Sequence, residues 1–197
     1  LPKLVQSRSR IVLVLCGIIV SGFMAAVIGL LKYLADPDTE LADIVYWQLG
    51  SLAKVSWDNL LYVTPIIVLT LAGLLAMRWR MNVLSLSDQE AASLGVNVQR
   101  ERLAVIALAT LLTASAVCLS GTIGWIGLIL PHLARMLVGG NHAHLLPVTA
   151  VLAASFLTLA DLLARTLTSA EVPLGILCGF VGTPFFAWIL YRQRRYF

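Results

Sequence analysis

Ser87-Asp88-Gln89-Glu90-Ala91-Ala92-Ser93-Leu94-Gly95 is a polar island between two long apolar segments, and reading it decides how the chain is laid out. Ser87 with Glu90 three residues on is a capping box. The serine oxygen can accept from the Glu90 backbone N–H while the Glu90 carboxylate reaches back to the N–H of the cap. Ala91, Ala92 and Leu94 continue the helix, and Gly95 can take the left-handed conformation that ends it at little steric cost. About two turns are specified, well short of the ~20 residues that cross a bilayer. The stretch therefore predicts a small helix inside a loop, within a segment covering residues 81–99. Its Ala-Ala-Ser-Leu-Gly surface is small enough to let another protein approach closely; the plainer alternative is an interfacial loop helix with no partner.

Arg78 and Arg80 precede this helix, and Arg100 and Arg102 follow it. Cytoplasmic loops are the ones enriched in such cations, so the helix is expected to face the cytoplasm. Composition agrees with a membrane setting: of 197 residues 59% are hydrophobic and 12% charged, with a mean hydropathy of +0.90, far from the soluble average. The net charge of +4 is spread over loop ends rather than gathered on one face. It fits topology determination, and no nucleic-acid partner is expected.

Working outward toward the N-terminus, a span over about residues 59–77 carries Pro65 as a possible kink and delivers the chain to Arg78. Before it, Ile44-Val45-Tyr46-Trp47-Gln48-Leu49-Gly50-Ser51 is amphipathic but too short to cross, and fits an interfacial anchor or a re-entrant, pathway-lining segment equally. Asp36, Asp38, Glu40 and Asp43 make an acidic outer loop, and the first span covers residues 11 to about 34 behind Lys3, Arg8 and Arg10. Gly17, Ser21, Gly22, Ala25, Ala26 and Gly29 make one side of that span small, suited to close helix packing or to the wall of a pathway.

Toward the C-terminus a third span covers about 103–119 and ends at Ser120-Gly121, and a fourth covers about 122–138 with Pro131 inside it. Gly139-Gly140-Asn141-His142-Ala143-His144 is read as an inner loop whose two histidines lack a third metal ligand, so no metal site is expected. Pro147 opens a fifth span to about residue 167, with Asp161 and Arg165 one turn apart and able to pair. After an outer turn at residues 169–173, a last span from 174 to about 191 ends in Arg192, Arg194 and Arg195. The result is an all-α integral membrane protein of about six spans with both termini cytoplasmic, forming a single domain over residues 1–197.

Cys16, Cys118 and Cys178 fall in apolar segments without a metal or redox spacing. No cleavable signal pattern precedes the first span. The sequence starts with Leu, so the natural N-terminus is expected to lie upstream. There is no Gly-Lys-Ser/Thr phosphate loop, no Gly-x-Ser-x-Gly elbow and no His-Glu-x-x-His helix, which argues against an enzyme. A secondary transporter is the alternative. It would use ionisable groups at the membrane midplane, where the spans offer essentially Asp161 alone, nearer an end. A structural or assembly membrane subunit without ATPase coupling is the third possibility.

Four motifs in order carry a family resemblance: Leu84-Ser85-Leu86 through Glu90-Ala91-Ala92-Ser93-Leu94-Gly95; Gly121-Thr122-Ile123-Gly124-Trp125-Ile126-Gly127 through Pro131-His132-Leu133-Ala134-Arg135; Leu159-Ala160-Asp161-Leu162-Leu163-Ala164-Arg165; and Glu171-Val172-Pro173-Leu174-Gly175 with Gly182-Thr183-Pro184-Phe185-Phe186. The chain resembles the FecCD-type permeases of type II ATP-binding-cassette importers for iron-siderophores, haem and vitamin B12. It is similar to the second part of their ten-helix subunit, so a fragment or truncated product is expected. The resemblance implies that Ser87, Glu90, Ala91, Ala92 and Gly95 belong to a coupling segment docking on cytoplasmic ATPase subunits, that Gly22, Tyr46, Trp47 and Gly50 border the pathway, and that Arg165 receives a substrate-binding protein. It implies a bacterial inner-membrane permease working with a second permease subunit amid membrane lipid. No cofactor of its own is implied, since ATP is bound by the partner. Iron-siderophore, haem, cobalamin and oxyanion importers share these motifs.

Overall fold

The computed structural model describes residues 10–53, 55–167 and 171–193. Lys3, Arg8, Lys54, Ser169, Ala170, Arg194 and Arg195 lie outside the described residues. Among those described, secondary structure is entirely helical: α1 (Arg10–Leu34), α2 (Glu40–Leu49), α3 (Trp57–Ala76), α4 (Arg78–Leu84), α5 (Asp88–Ser93), α6 (Val98–Ser120), α7 (Ile126–Val138), α8 (His142–Leu167) and α9 (Leu174–Gln193). The chain divides into two compact units, Leu1–Val45 and Tyr46–Phe197.

The first unit is built on α1, whose segment Val14–Leu34 is long and apolar enough to cross a membrane. Its acidic turn is closed locally: the Asp38 N–H donates to Asp36 Oδ1 (2.8 Å) and the Asp36 N–H to Glu40 Oε2 (3.2 Å).

In the second unit α3 packs on α6, α7 on α8, and α9 against both α7 and α8. Ala160 and Ala164 of α8 bury Leu174 at the start of α9, with Leu52, Ile123, Phe156 and Leu177 packed around them. Small residues set the helix spacing, as at Gly73 of α3, where an added Cβ would lie 3.1 Å from the Leu108 side chain of α6. Several hydroxyls inside the helices are satisfied by their own backbone. Thr70 donates to Ile66 O (2.6 Å), Ser115 to Leu111 O (2.8 Å) and Thr149 to Leu145 O (2.7 Å), which removes the need for water at membrane depth.

Among the described residues four helices, α1, α3, α6 and α8, are long and apolar enough to span a membrane, while α7 and the apolar part of α9, Leu174–Trp188, are shorter. The six expected spans thus become four long helices and two short ones. The fourth is shorter than read because residues 122–125 are not helical. Gly121 at φ 68° and Trp125 at φ 68° break the helical backbone on either side. The fifth starts earlier than Pro147: α8 begins at His142, with the Asn141 carbonyl accepting from Leu145 N (2.9 Å) and Asn141 Oδ1 from Ala143 N (3.0 Å). His142 and His144 therefore belong to a helix and not to a loop. Pro65, Pro131 and Pro147 all lie inside helices that continue through them. The seven-residue α4 fills what the sequence presented as a cationic flank.

Candidate functional site

The capping box forms as the spacing requires. Ser87 Oγ accepts from the Glu90 N–H (3.3 Å), and Glu90 Oε2 accepts from both the Ser87 N–H (3.0 Å) and the Ser87 hydroxyl (2.7 Å). These bonds favour the carboxylate and hold Glu90 below its ordinary pKa, so the box is ionised at neutral pH. Gly95 stands at φ 75° just past the helix, where a Cβ would meet nothing. That backbone state costs little only for glycine.

The two alanines separate. Ala91 is 1% exposed, buried where α5 packs on α4 and α6, while Ala92, Ser93, Leu94 and Gly95 are exposed. Ala91 packs inward because only one face of a two-turn helix can point outward. The open surface narrows to Ala92, Leu94 and Gly95, with Leu86 exposed beside them.

Ion pairs fix this surface to the long helices. Arg102 of α6 binds Asp88 of α5 (2.8 Å), and Arg80 of α4 pairs with Glu101 of α6. The arginines that signalled sidedness in the sequence thus also brace the loop. On its other side α4 packs on α8. Asn82 Oδ1 accepts from the His142 N–H (2.8 Å) and lies 2.9 Å from His142 Nδ1, while Asn82 Nδ2 donates to Asn141 Oδ1 (2.8 Å). Sequence reading passed over Asn82, since its partners lie about sixty residues away.

The other end of α6, some 35 Å away at ~1.5 Å per residue, meets a knot of three backbone segments. Leu174 N donates to Gly50 O (2.8 Å), Ser51 N to Ser120 O (2.8 Å) and the Thr122 hydroxyl to Gln48 O (2.5 Å). Glycine is required for this approach. A Cβ on Gly121 would fall on the Trp47 carbonyl oxygen, one on Gly175 on the Leu49 carbonyl oxygen, and one on Gly50 within 2.7 Å of Thr122 O. Gly50 is accordingly buried within the knot. Tyr46 is half-buried, its hydroxyl 3.4 Å from Ser51 Oγ, and Trp47 remains exposed. Gly22 lies midway along α1 in the first unit.

Arg165, in the last turn of α8, donates from Nε to Asp161 Oδ2 (2.9 Å), the pairing anticipated from the i, i+4 spacing, and its Nη1 lies 4.0 Å from Glu171 Oε1. It remains 45% exposed. Beyond the fourfold break at residues 122–125, Trp125 lays its indole on α9: a Cβ on Gly182 would lie 2.7 Å from Trp125 Cβ, and the Phe186 ring stands 6.2 Å away. Among the described residues no three His, Cys, Asp or Glu side chains come together in a way that could hold a metal ion.

The FecCD transport family matches residues 3–192. The molybdate import system permease protein MolB of Haemophilus influenzae is 44% identical over 190 residues, covering 96% of this chain and 56% of MolB. The hemin transport system permease protein HmuU of Yersinia pestis is 43% identical over 184 residues, 92% of this chain and 54% of HmuU. A solved inward-facing structure of a metal-chelate type ABC transporter is 42% identical and superposes with a TM-score of 0.92, covering 97% of this chain and 62% of the other. The chain spans about half the length of the curated relatives it matches. The family model covers nearly the full length of the chain, and the helices able to cross a membrane agree with it, so this multi-pass membrane protein belongs to the FecCD transport family.

Proposed function

We propose that the chain forms the second part of a permease subunit of an ATP-driven importer in the bacterial cytoplasmic membrane, with α5 docking on a separate ATPase subunit. The observation that carries this is the exposed Ala92-Leu94-Gly95 surface on a helix held at its start by the capping box and the Asp88–Arg102 pair and seated through buried Ala91 on α4 and α6. A contact that transmits force must be stiff, and here the contact residues project from a braced element. In this reading ATP is bound and hydrolysed by the partner, this chain holds no cofactor, and closure of the ATPase shifts α5 so that the pathway opens alternately to either side. Gly22, Tyr46 and Trp47 border that pathway, shared with a second permease subunit, and Gly50 fixes its short helix through the knot. The relatives named for molybdate, hemin and cobalamin support a chelated metal or oxyanion as cargo, with an iron-siderophore, haem or cobalamin-like substrate favoured.

The reading requires α5 to face the cytoplasm with both termini. A single cysteine at Arg100 in the complete permease should resist an impermeant thiol reagent applied to intact cells, while one at Glu171 should react. Labelling of position 100 from outside would put α5 on the wrong side for an ATPase and overturn the proposal.

At the outer end, Arg165 is proposed to receive a carboxylate of the substrate-binding protein. Asp161 orients its guanidinium through Nε and leaves the outer nitrogens presented beside Glu171. A rim charge acts chiefly on association, so Arg165→Glu should slow binding-protein docking by roughly tenfold at low ionic strength and much less at high salt. A charge reversal on the partner should restore the rate. Unchanged docking at low salt, with a less stable permease, would leave Arg165 only its pairing with Asp161.

A further inference from the structure

We propose that Asn82 is the positioning residue through which motion of the coupling segment reaches α8, a role resting on the docking function assigned to α5. One side chain on α4 holds two separate parts of the α7–α8 junction at once. Its oxygen accepts from the backbone N–H of His142 (2.8 Å) and faces His142 Nδ1 (2.9 Å), while its nitrogen donates to Asn141 Oδ1 (2.8 Å). The orientation of the amide is dictated by these partners: turned over, it would set its NH2 against the His142 N–H, donor to donor. The same partners fix the imidazole. An amide oxygen can only accept, so His142 carries its proton on Nδ1.

Asn141 is itself committed, accepting from the Ala143 N–H in the first turn of α8 (3.0 Å). Asn82 therefore holds the residue that caps α8 together with the first residue of that helix. The helix so gripped is 26 residues long and at its far end buries Leu174 and carries Arg165. Its Ala164 carbonyl accepts from Val172 N (3.3 Å) beside the glycine knot.

The alternative route runs through α6, which α5 reaches by the Asp88–Arg102 pair and α4 by the Arg80–Glu101 pair. In each pair one partner is well exposed, Arg80 at 60% and Asp88 at 59%, so these contacts are weakened by salt. The Asn82 contacts use a short side chain, two of its three partners being backbone or the cap of the helix, and they involve no net charge. A displacement of α4 is thus passed to α8 with less play than to α6. The prediction that follows is that coupling through Asn82 is insensitive to ionic strength.

The test uses the complete permease assembled with its ATPase subunit and binding protein in proteoliposomes, reading substrate imported per ATP hydrolysed. Asn82→Ala should retain the bound ATPase but lower that ratio roughly three- to tenfold, the size of coupling carried by single residues in two-state elements, equally at low and high salt. Asn82→Asp keeps the oxygen facing His142 and loses the donor to Asn141, so it should fall between Asn82→Ala and the parent protein. The double variant Asn82→Ala/His142→Ala should be no worse than the poorer single variant. Ala92→Arg serves as the reference for docking itself. If Ala92→Arg releases the ATPase while Asn82→Ala and Asn82→Asp both import normally per ATP, the route through Asn82 is refuted and the coupling role of α5 stands. If Ala92→Arg also leaves docking and import unchanged, the coupling role falls and the inference falls with it. Should Asn82→Ala fail to assemble, the ratio in Asn82→Asp decides.

Discussion

Ala92→Arg in the complete permease is expected to abolish productive docking of the ATPase subunit while leaving the membrane helices assembled. Ala92 is exposed on α5 and its neighbour Ala91 takes the buried side, so a long side chain at 92 projects outward without disturbing the packing of α5 on α4 and α6. Against a partner that approaches a small surface closely, the guanidinium would be desolvated with no carboxylate placed to receive it. An uncompensated buried charge costs about 3–5 kcal/mol, which corresponds to a loss of affinity on the order of 10²- to 10³-fold. Capture of the purified ATPase by the immobilised permease measures this directly, and permease-stimulated hydrolysis should disappear in parallel. Ala92→Ser, which adds one small atom, should retain both. Wild-type capture by Ala92→Arg would remove α5 from the interface.

Gly175→Val is expected to have the largest effect on stability. Its Cβ would fall on the Leu49 carbonyl oxygen and lie 3.4 Å from Thr122 O, and both obstacles are backbone that hydrogen bonds hold in place. Relief requires the segment at 47–51 to separate from the start of α9, breaking the backbone bond between the buried residues Leu174 and Gly50. More than about 4 kcal/mol is expected, above the ~1–3 kcal/mol usual for an overpacked core, because the obstacles are backbone and not side chains that can shift. Thermal unfolding in detergent should show little folded protein for Gly175→Val. Gly179→Ala on the same helix should melt nearly as the parent, because its Cβ meets only the Trp125 indole at 3.9 Å. A parent-like melt for Gly175→Val would mean that the knot contributes little to holding α2, α6 and α9 together.

What sequence could and could not show divides along the distance between interacting residues. The Ser87–Glu90 box, the Gly95 stop and the Asp161–Arg165 pair join residues three to eight apart, and local spacing was sufficient to find them. The long apolar helices were equally legible, because α3, α6 and α8 each contain a stretch apolar enough to span. The knot was not, since Thr122 reaches Gln48 across 74 residues and the three glycines carry no mark of which backbone each admits. α4 escaped because seven residues with two arginines have no periodicity to read. At residues 122–125 the natural expectation is that Gly124 takes the left-handed state. Trp125 takes it instead, at φ 68°, with its ring covering Gly182. Burial of Ala91 but not Ala92 likewise depends on which face α4 and α6 cover.

The placement of Trp125 also gives the protein an optical reporter of its own. Of five tryptophans, Trp47, Trp57, Trp79 and Trp188 are between 48% and 80% exposed, whereas Trp125 is half-buried and lies on α9 against Gly179, Gly182 and Phe186. With the other four changed to phenylalanine, emission would come from one ring lodged at the seam between the two short helices. Its wavelength and its accessibility to lipid-borne quenchers would report any change in the packing of that seam without an attached dye.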